Sequence, residues 1–548
     1  MTLYKIVIIS IFMISILLYG ADSVRADQSK DTDAALLWVD LNTTKSFVST
    51  SHPISVKIND FRIIGPRRYK FFIFTEILSP YIGHTVSFSQ LVAIVNKIAG
   101  FYRSKGFPVN FAFVPGQVIK NGVVTIVLVE AKYDKIKINN KSGISDKIVR
   151  NYFSGEESGK DININPLNSD LLASSEYPYT KVTTVLSPGG KPATSNLDID
   201  VVDQPYIGSI GVNDYGDPYL GSMVLSAYAQ LNNLFGNPDT LSVSGMTSFG
   251  GFNSIHVSYD DLLNKYGTHI GVYYSAMNYR LGLGFTPINY PANAGVLAAL
   301  GSSGYGQTMG IYVRHPIVRT KNTVIALKMI YEHDLWSDTI SQALGEYNNR
   351  TIDSIAAEID GDLKFPTNET TFMGSAMPYI LNASTPANID PYASTSQGLR
   401  FIWKALITTT QMLANNNSLY VSLSGQVSSG GIIDPMEQMV FGGENSVRAY
   451  PTAVLFADTG AILNIELRHL YAFSKNTLQP FAFFDMGGFN YAGYWFNIYG
   501  PGVGVGWNYI PWDLSSKLEV SMPIGAIPYM VGTPENYQVW FSVTKNFK

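Results

Sequence analysis

The sequence predicts two unlike halves: a mixed α/β region from about residue 53 to 204, and an all-β region over residues 206–548 that leans toward a membrane barrel. Three observations carry the second half. Its strand-like segments alternate apolar residues with Ser, Thr, Asn and Gln rather than with Lys and Glu. They follow one another with no intervening helical pattern. The chain ends on an aromatic strand. A soluble sandwich also alternates with period two, so alternation alone leaves both architectures open. The low charged fraction, 15%, beside 13% aromatic residues suits short strands, tight turns and aromatic girdles better than a helical enzyme.

Lys5, the apolar run 6–19 and the small residues Val24 and Ala26 read as a secretory signal cut after Ala26. A membrane anchor helix is disfavoured because the run falls short of the roughly 20 residues that a span needs. The first half then repeats an order of elements. ISVKINDFRIIG (54–65) alternates like a strand. SFSQLVAIVNKIAGFYRSKG (87–106) places Leu91, Ile94, Val95 and Ile98 at helical spacing, with Gly106 as a C-cap. Strands follow at FPVNFAFVPGQ and, past the Asn121-Gly122 turn, at VVTIVLVE (123–130). A second unit has a strand at 133–140, helices at 144–153 and 165–176, and strands at 179–188 and 196–203. Each unit is β-α-(α)-β-β.

In the second half, YVSLSGQV (420–427) sets Val421, Leu423 and Val427 against Ser422, Ser424 and Gln426. YQVWFSVTKNF (537–547) sets Tyr537, Val539, Phe541, Val543 and Phe547 against Gln538, Ser542, Thr544 and Asn546, with Trp540 out of phase. LSVSGMTSF (241–249) alternates more weakly. Membrane strands take roughly 9–11 residues, so sixteen would use about 160 residues and leave about half of the segment for turns and outer loops. A barrel of that size is wide enough for an aqueous channel.

Several chemistries are disfavoured. With no cysteine there is neither a disulfide framework nor a thiolate metal site. A net charge of −4 gives no footprint for nucleic acid. The histidines (His52, His84, His256, His269, His315, His333 and His469) show no ligand spacing, and no nucleophile or zinc motif occurs. The Gly-x-Gly-x-Gly run at 502–506 is followed by Trp507, Tyr509 and Trp512 rather than by a helix, which fits a crowded barrel strand better than a nucleotide loop. No enzyme, cofactor or metal is expected.

Six stretches together carry a family resemblance: PGQVIKNGVVTIVLVEA (115–131), DLLASSEYPYTKVTTVLSPGGKPATSNLDIDV (170–201), SVRAYP (446–451), FAFFDMGG (481–488), GPGVGVGW (500–507) and LEVSMPIG (518–525). In order and spacing the chain resembles the outer-membrane transporters of two-partner secretion, the TpsB family of haemolysin secretion/activation proteins. The resemblance implies two α+β POTRA domains in the periplasm followed by a transmembrane antiparallel β-barrel of sixteen strands. It divides the chain into a signal peptide (1–26), an N-terminal segment with a short plug helix at DTDAALLWVDL and a linker (27–52), POTRA 1 (53–132), POTRA 2 (133–205) and the barrel (206–548). Pro115, Gln117, Gly122 and Glu130 match the POTRA signature. Val447, Arg448, Ala449 and Tyr450 match the tip of the sixth outer loop, which folds back into the barrel. Phe481, Phe483, Asp485 and Gly487 match the inner-wall motif. Phe547 matches the C-terminal barrel signal. The chain departs from the pattern at Ala449 and Ala131, each in place of Gly, and in its short 27–52 segment, which the resemblance gives a short helix rather than a full plug.

The resemblance implies that Arg448 faces Asp485 inside the lumen. An arginine fork can hold a carboxylate through two parallel hydrogen bonds, fixing the loop's position. Gly442 and Gly443 let the hairpin turn, and Tyr450 packs beside it. The implied partners are a large TpsA-like exoprotein, outer-membrane lipid and the barrel-assembly machinery that inserts the chain, with the protein itself a monomer. Two rival functions remain: an assembly factor that inserts other barrels, against which two POTRA domains argue, and a passive porin, which needs neither POTRA domains nor an arginine hairpin.

Overall fold

The structure, a computed structural model, describes residues 55–65, 68–281, 302–341, 346–383, 397–429, 433–528, 531 and 535–548. The signal peptide, its cleavage site and the 31–41 segment lie outside the described residues. Beyond them the chain divides into two compact units between Asp203 and Gln204.

In the first unit, β1 (Ser55–Lys57), β2 (Asp60–Ile64), α1 (Phe71–Leu78), β3 (Thr85–Ser87), α2 (Phe88–Ser104), β4 (Phe111–Phe113) and β5 (Val123–Val129) form one β-α-α-β-β module. Its main sheet has the order β2-β5-β4, and β1 pairs with β3. The segment expected as one strand over 54–65 is therefore two, broken at Ile58, which is fully buried. Helix α1 was not expected. Its sequence FFIFTEIL is apolar nearly all round, so it shows no helical contrast. Helix α2 is legible for the opposite reason. It buries Leu91, Ile94, Val95, Ile98 and Tyr102, opens on a Ser87/Gln90 capping box, and ends before Gly106 at φ +90°.

The second module holds β6 (Lys132–Asn140), α3 (Asp146–Tyr152), α4 (Ile164–Ser174), β7 (Thr180–Pro188) and β8 (Thr194–Asp203), with sheet order β6-β8-β7. Lys132 already belongs to β6, one residue earlier than expected. The modules are joined by backbone and charge: Ile164 N–H donates to Gly106 O at 2.9 Å, and Arg68 pairs with Asp161.

Behind α3, the nearly buried Glu156 carboxyl is pushed up to about 7, first by burial and then by the Asp170 carboxylate, with Lys160 opposing. Its unfolded value is near 4.3. A raised carboxyl contributes stability that is fully present below the unfolded value and is lost as pH climbs through the folded one. The second module should therefore weaken between about pH 4.5 and 7, by about 1–3 kcal/mol. Glu156→Gln should flatten that slope, read as hydrogen exchange of residues 154–174 in the full-length protein at pH 5.5 and 8. An unchanged slope would place the sensitivity elsewhere.

The second unit is a closed antiparallel barrel. Its strands are β9 (Tyr206–Asn213), β10 (Val224–Asn232), β11 (Asp239–Thr247), β12 (Phe252–Leu262), β13 (His269–Arg280), β14 (Ser303–Arg319), β15 (Thr323–Ser341), β16 (Glu346–Phe365), β17 (Asn368–Ala383), β18 (Gly398–Met412) and β19 (Asn417–Ser429). Next comes a hairpin outside the wall, β20 (Met439–Phe441) and β21 (Leu455–Ala457). The wall resumes with β22 (Gly460–His469), its short continuation β23 (Tyr471–Ala472), β24 (Asn476–Tyr491), β25 (Tyr494–Tyr509), β26 (Leu514–Ser521) and β27 (Gln538–Phe547). Because β22 and β23 both pair with β24, the wall has sixteen strand positions, and β27 closes it against β9. LEVSMPIG is only half strand, since β26 stops at Ser521.

Apolar side chains face outward, among them Ile311, Val313, Leu327, Met329, Leu423, Val427, Leu467, Val503, Val539 and Val543. Ser, Thr, Tyr and charged side chains face the lumen. Inward-facing aromatics lie over glycines directly opposite them: Tyr312 over Gly271, Tyr273 over Gly310 and Trp336 over Gly306; on the outer face Phe372 lies over Gly361 in the same way. A side chain at those glycines would collide with a ring.

Candidate functional site

The connection between β19 and β22 is the sixth at the end of the barrel away from the chain's entry at Tyr206. Instead of extending outward it turns back into the lumen. Gly442 and Gly443, at φ +89° and +99°, make the turn, and a Cβ on Gly442 would overlap the Pro451 carbonyl. Gly443 N–H donates to Tyr450 O at 2.9 Å, and Tyr450 N–H to Val447 O at 3.1 Å. The tip is buried: Val447 and Ala449 are fully so, and Arg448 retains 3% exposure.

Arg448 meets three strands of the wall. Its Nε and Nη2 donate to the two oxygens of Asp485 on β24, each at 2.8 Å. Nη1 donates to Glu466 on β22 at 2.6 Å and to Glu519 on β26 at 2.8 Å. The guanidinium lies 3.5 Å over the Phe483 ring. The backbone is held as well. Arg448 N–H donates to Asp485 at 3.1 Å, and its carbonyl accepts from Ser521 Oγ at 2.6 Å and Trp540 Nε1 at 2.8 Å. Lys517 pairs with Glu444 of the loop and, at 3.0 Å, with Glu519, and Arg468 pairs with Glu466 at 2.6 Å. Three cations thus face four carboxylates with little water to screen them.

Of the residues singled out in the sequence, Val447, Arg448, Ala449, Tyr450, Phe481, Phe483, Asp485 and Gly487 come together here. A Cβ on Gly487 would sit 2.8 Å from Phe441 and 3.0 Å from Val447. Phe547 lies elsewhere, outward on the last strand. Sequence reasoning missed Glu466, Glu519, Lys517 and Arg468. The available signal was phase: Asn464, Glu466 and Arg468 alternate with Ile465 and Leu467, and Lys517 and Glu519 with Leu518 and Val520, so these charges sit on the luminal face. Trp540, out of phase in the sequence, now has a reason. It turns inward to hold the Arg448 carbonyl.

The POTRA-signature residues do structural work in the first module. The Gln117 amide pairs with both backbone groups of Thr125, at 2.8 Å each, and so prolongs the sheet ladder past β4. Pro115 O accepts a longer bond from the same amide, at 3.4 Å. Gly122, at φ +67°, closes the turn before β5, and its carbonyl accepts from Asn59 N–H at 2.8 Å. Glu130 accepts from Tyr102 Oη at 2.7 Å and Arg68 N–H at 2.8 Å, beside the junction with the second module. Ala131 is buried there. Among the described residues no group of three His, Asp or Glu is placed to hold a metal ion.

A sixteen-stranded barrel with an apolar belt, a polar lumen and an inward-docked loop, preceded by two β-α-α-β-β modules, defines an outer-membrane barrel with periplasmic POTRA domains. The chain belongs to the haemolysin secretion/activation protein ShlB/FhaC/HecB family, whose sequence model matches residues 194–507, and the ShlB-type POTRA domain matches residues 56–131. It is similar to the heme/hemopexin transporter protein HuxB of Haemophilus influenzae, 26% identical over 419 residues, which cover 75% of this chain and 72% of the relative. It is also similar to the outer membrane transporter CdiB of Dickeya dadantii, 21% identical over 75% of this chain and 71% of the relative. The structure of CdiB from Escherichia coli shares the fold with a TM-score of 0.64 at 17% identity, over 92% of this chain and 93% of that one. The protein is thus a two-partner secretion transporter of the outer membrane, with an exoprotein as its cargo. Members of this family are transporters rather than enzymes.

Proposed function

We propose that this transporter captures an unfolded TpsA-like exoprotein on its POTRA sheets and passes it through the barrel as loop 6 shifts, with Arg448 and Asp485 setting the loop's resting position. The observation that carries this reading is the buried network that ties the loop tip to three wall strands. Such a network fixes the loop's geometry rather than adding bulk stability. For capture, β7 offers a nine-residue edge at the margin of its sheet, with Val185 half exposed. An extended cargo segment can add there as a further strand. The domain limits 53–132, 133–205 and 206–548, insertion of the chain by the barrel-assembly machinery and a monomeric state complete the proposal.

The test is comparative proteomics of medium, cell surface and outer membrane in the native host and a deletion strain. Loss of one large exoprotein from medium and surface, with other barrels at normal levels, is expected. A joint fall of many barrel proteins would instead favour the assembly-factor role.

A further inference from the structure

Loop 6 touches the barrel in a second place, far from its tip. Its descending limb, residues 433–440, crosses the outer part of the lumen. Ile433, Met436 and Val440 are buried there against Leu220, Phe252, Tyr279, Trp336, Ile352, Tyr379 and Ile402, which come from loop 1 and the outer ends of β12, β13 and β15 to β18. In this apolar cluster lies an ion triad. Arg350 Nη1 on β16 donates to Asp338 on β15 at 2.5 Å, and Arg350 Nε stands 2.9 Å from the carboxylate of Asp434 on the limb. The Arg350, Asp338 and Asp434 side chains are 4%, 3% and 1% exposed. Tyr279 Oη donates to Asp338 at 2.8 Å, and Asp434 N–H donates to Tyr379 Oη at 3.1 Å. Nothing in the loop-tip motif points to these residues.

We propose that Arg350 is a second positioning residue: with Asp338 it clamps Asp434 of the loop 6 limb to the wall facing the tip, and release of this clamp opens the outer end of the pore. The inference rests on the reading that cargo crosses the lumen. In the order of strands around the barrel, β15 and β16 lie several positions away from β22, β24 and β26, so the loop is a crossbar held at both ends. The two ends are not equal. The tip has five side-chain and backbone bonds to charged partners plus two to its carbonyl. The limb has two ion pairs to the wall: Arg350–Asp434, from an Arg350 Nε that is not aligned as a hydrogen bond, with Tyr379 beside it, and the less buried pair of Glu437 with Lys404 on β18, at 3.1 Å. Freed at the tip, the limb still fills the lumen through Ile433, Met436 and Val440. Freed at Asp434, the limb keeps the less buried Lys404–Glu437 pair as its remaining ion pair to the wall and can swing about the tip to clear the path. Arg350 also neutralises two buried carboxylates, so its loss strands both and drives the limb toward water.

The test is the open fraction of single pores of the full-length protein in planar lipid bilayers, for Arg350→Gln, Asp434→Asn and the double variant. Each single change should raise the open fraction at least roughly tenfold, the factor that about 1.4 kcal/mol supplies. The double should do no more than Arg350→Gln alone, because Asp434→Asn acts only through a contact that the first change already removes. Heat-modifiable migration in gels, which reports the folded barrel, should not change. Unchanged open fractions in the singles, or effects that add in the double, would overturn the clamp. If Arg350→Gln fails to assemble, Asp434→Asn alone decides, because it removes a charge from the loop and nothing from the wall.

Discussion

Arg448→Ala should abolish export of the cargo while leaving a folded barrel in the outer membrane. The substitution removes the cation from a cluster in which Asp485 and Glu519 are fully buried. Lys517 and Arg468 remain, each already engaged with its own carboxylates. Stranding buried carboxylates in this way costs about 3–5 kcal/mol, far above the 0–1 kcal/mol of an exposed pair. The cost falls on docking of the tip rather than on the wall, whose ladder of backbone bonds is untouched. Alanine keeps the three backbone anchors at position 448, to Asp485, Ser521 and Trp540. The tip is therefore loosened rather than deleted, and adding Asp485→Asn, which removes one stranded charge, should restore part of the export. Arg448→Lys should also fail, because a single ammonium cannot reproduce the fork on Asp485 while reaching Glu466 and Glu519. The measurement is cargo in the medium, normalised to heat-modifiable transporter in the membrane. Wild-type export by Arg448→Ala would remove the positioning role.

What was legible in the sequence tracks the range of the interaction. Helix α2 could be read because its apolar period and its Gly106 cap are local. Helix α1 could not, because eight residues of mostly Phe and Ile carry no contrast between faces. The barrel could be read from alternation, and the loop tip with Asp485 from a family motif. Glu466 and Glu519 could have been assigned to the luminal face by phase, yet not to Arg448, because only the register of β22 with β24 and of β25 with β26 brings them to one point. Arg350 and Asp434 are harder still. Three wall strands, β17 to β19, separate them in the chain, and a period of two says that a side chain faces the lumen, not what crosses the lumen opposite it.

The bare stretch of β25 under the tip makes a last, separable demand on the sequence. Ala449 is fully buried, and a Cβ placed on Gly500 would overlap both the Ala449 methyl and the Met522 carbonyl. Gly502 and Gly504 are bare for a related reason, since the rings of Phe483 and Phe481 lie over them. Alanine at position 449 is thus tolerated because the wall beneath it has no side chain. Gly500→Ala should disfavour docking by about 1–3 kcal/mol, the usual cost of overpacking a filled core. Adding Ala449→Gly should recover only part of this, because it removes the methyl and leaves the carbonyl. Trypsin on intact cells reads the effect directly. The bond after Arg448 is shielded while the tip is docked, so the native protein should resist cleavage there, Gly500→Ala should be cut, and the double variant should fall between. A Gly500→Ala protein that stays resistant would mean that the wall strand, rather than the loop, yields to the added methyl.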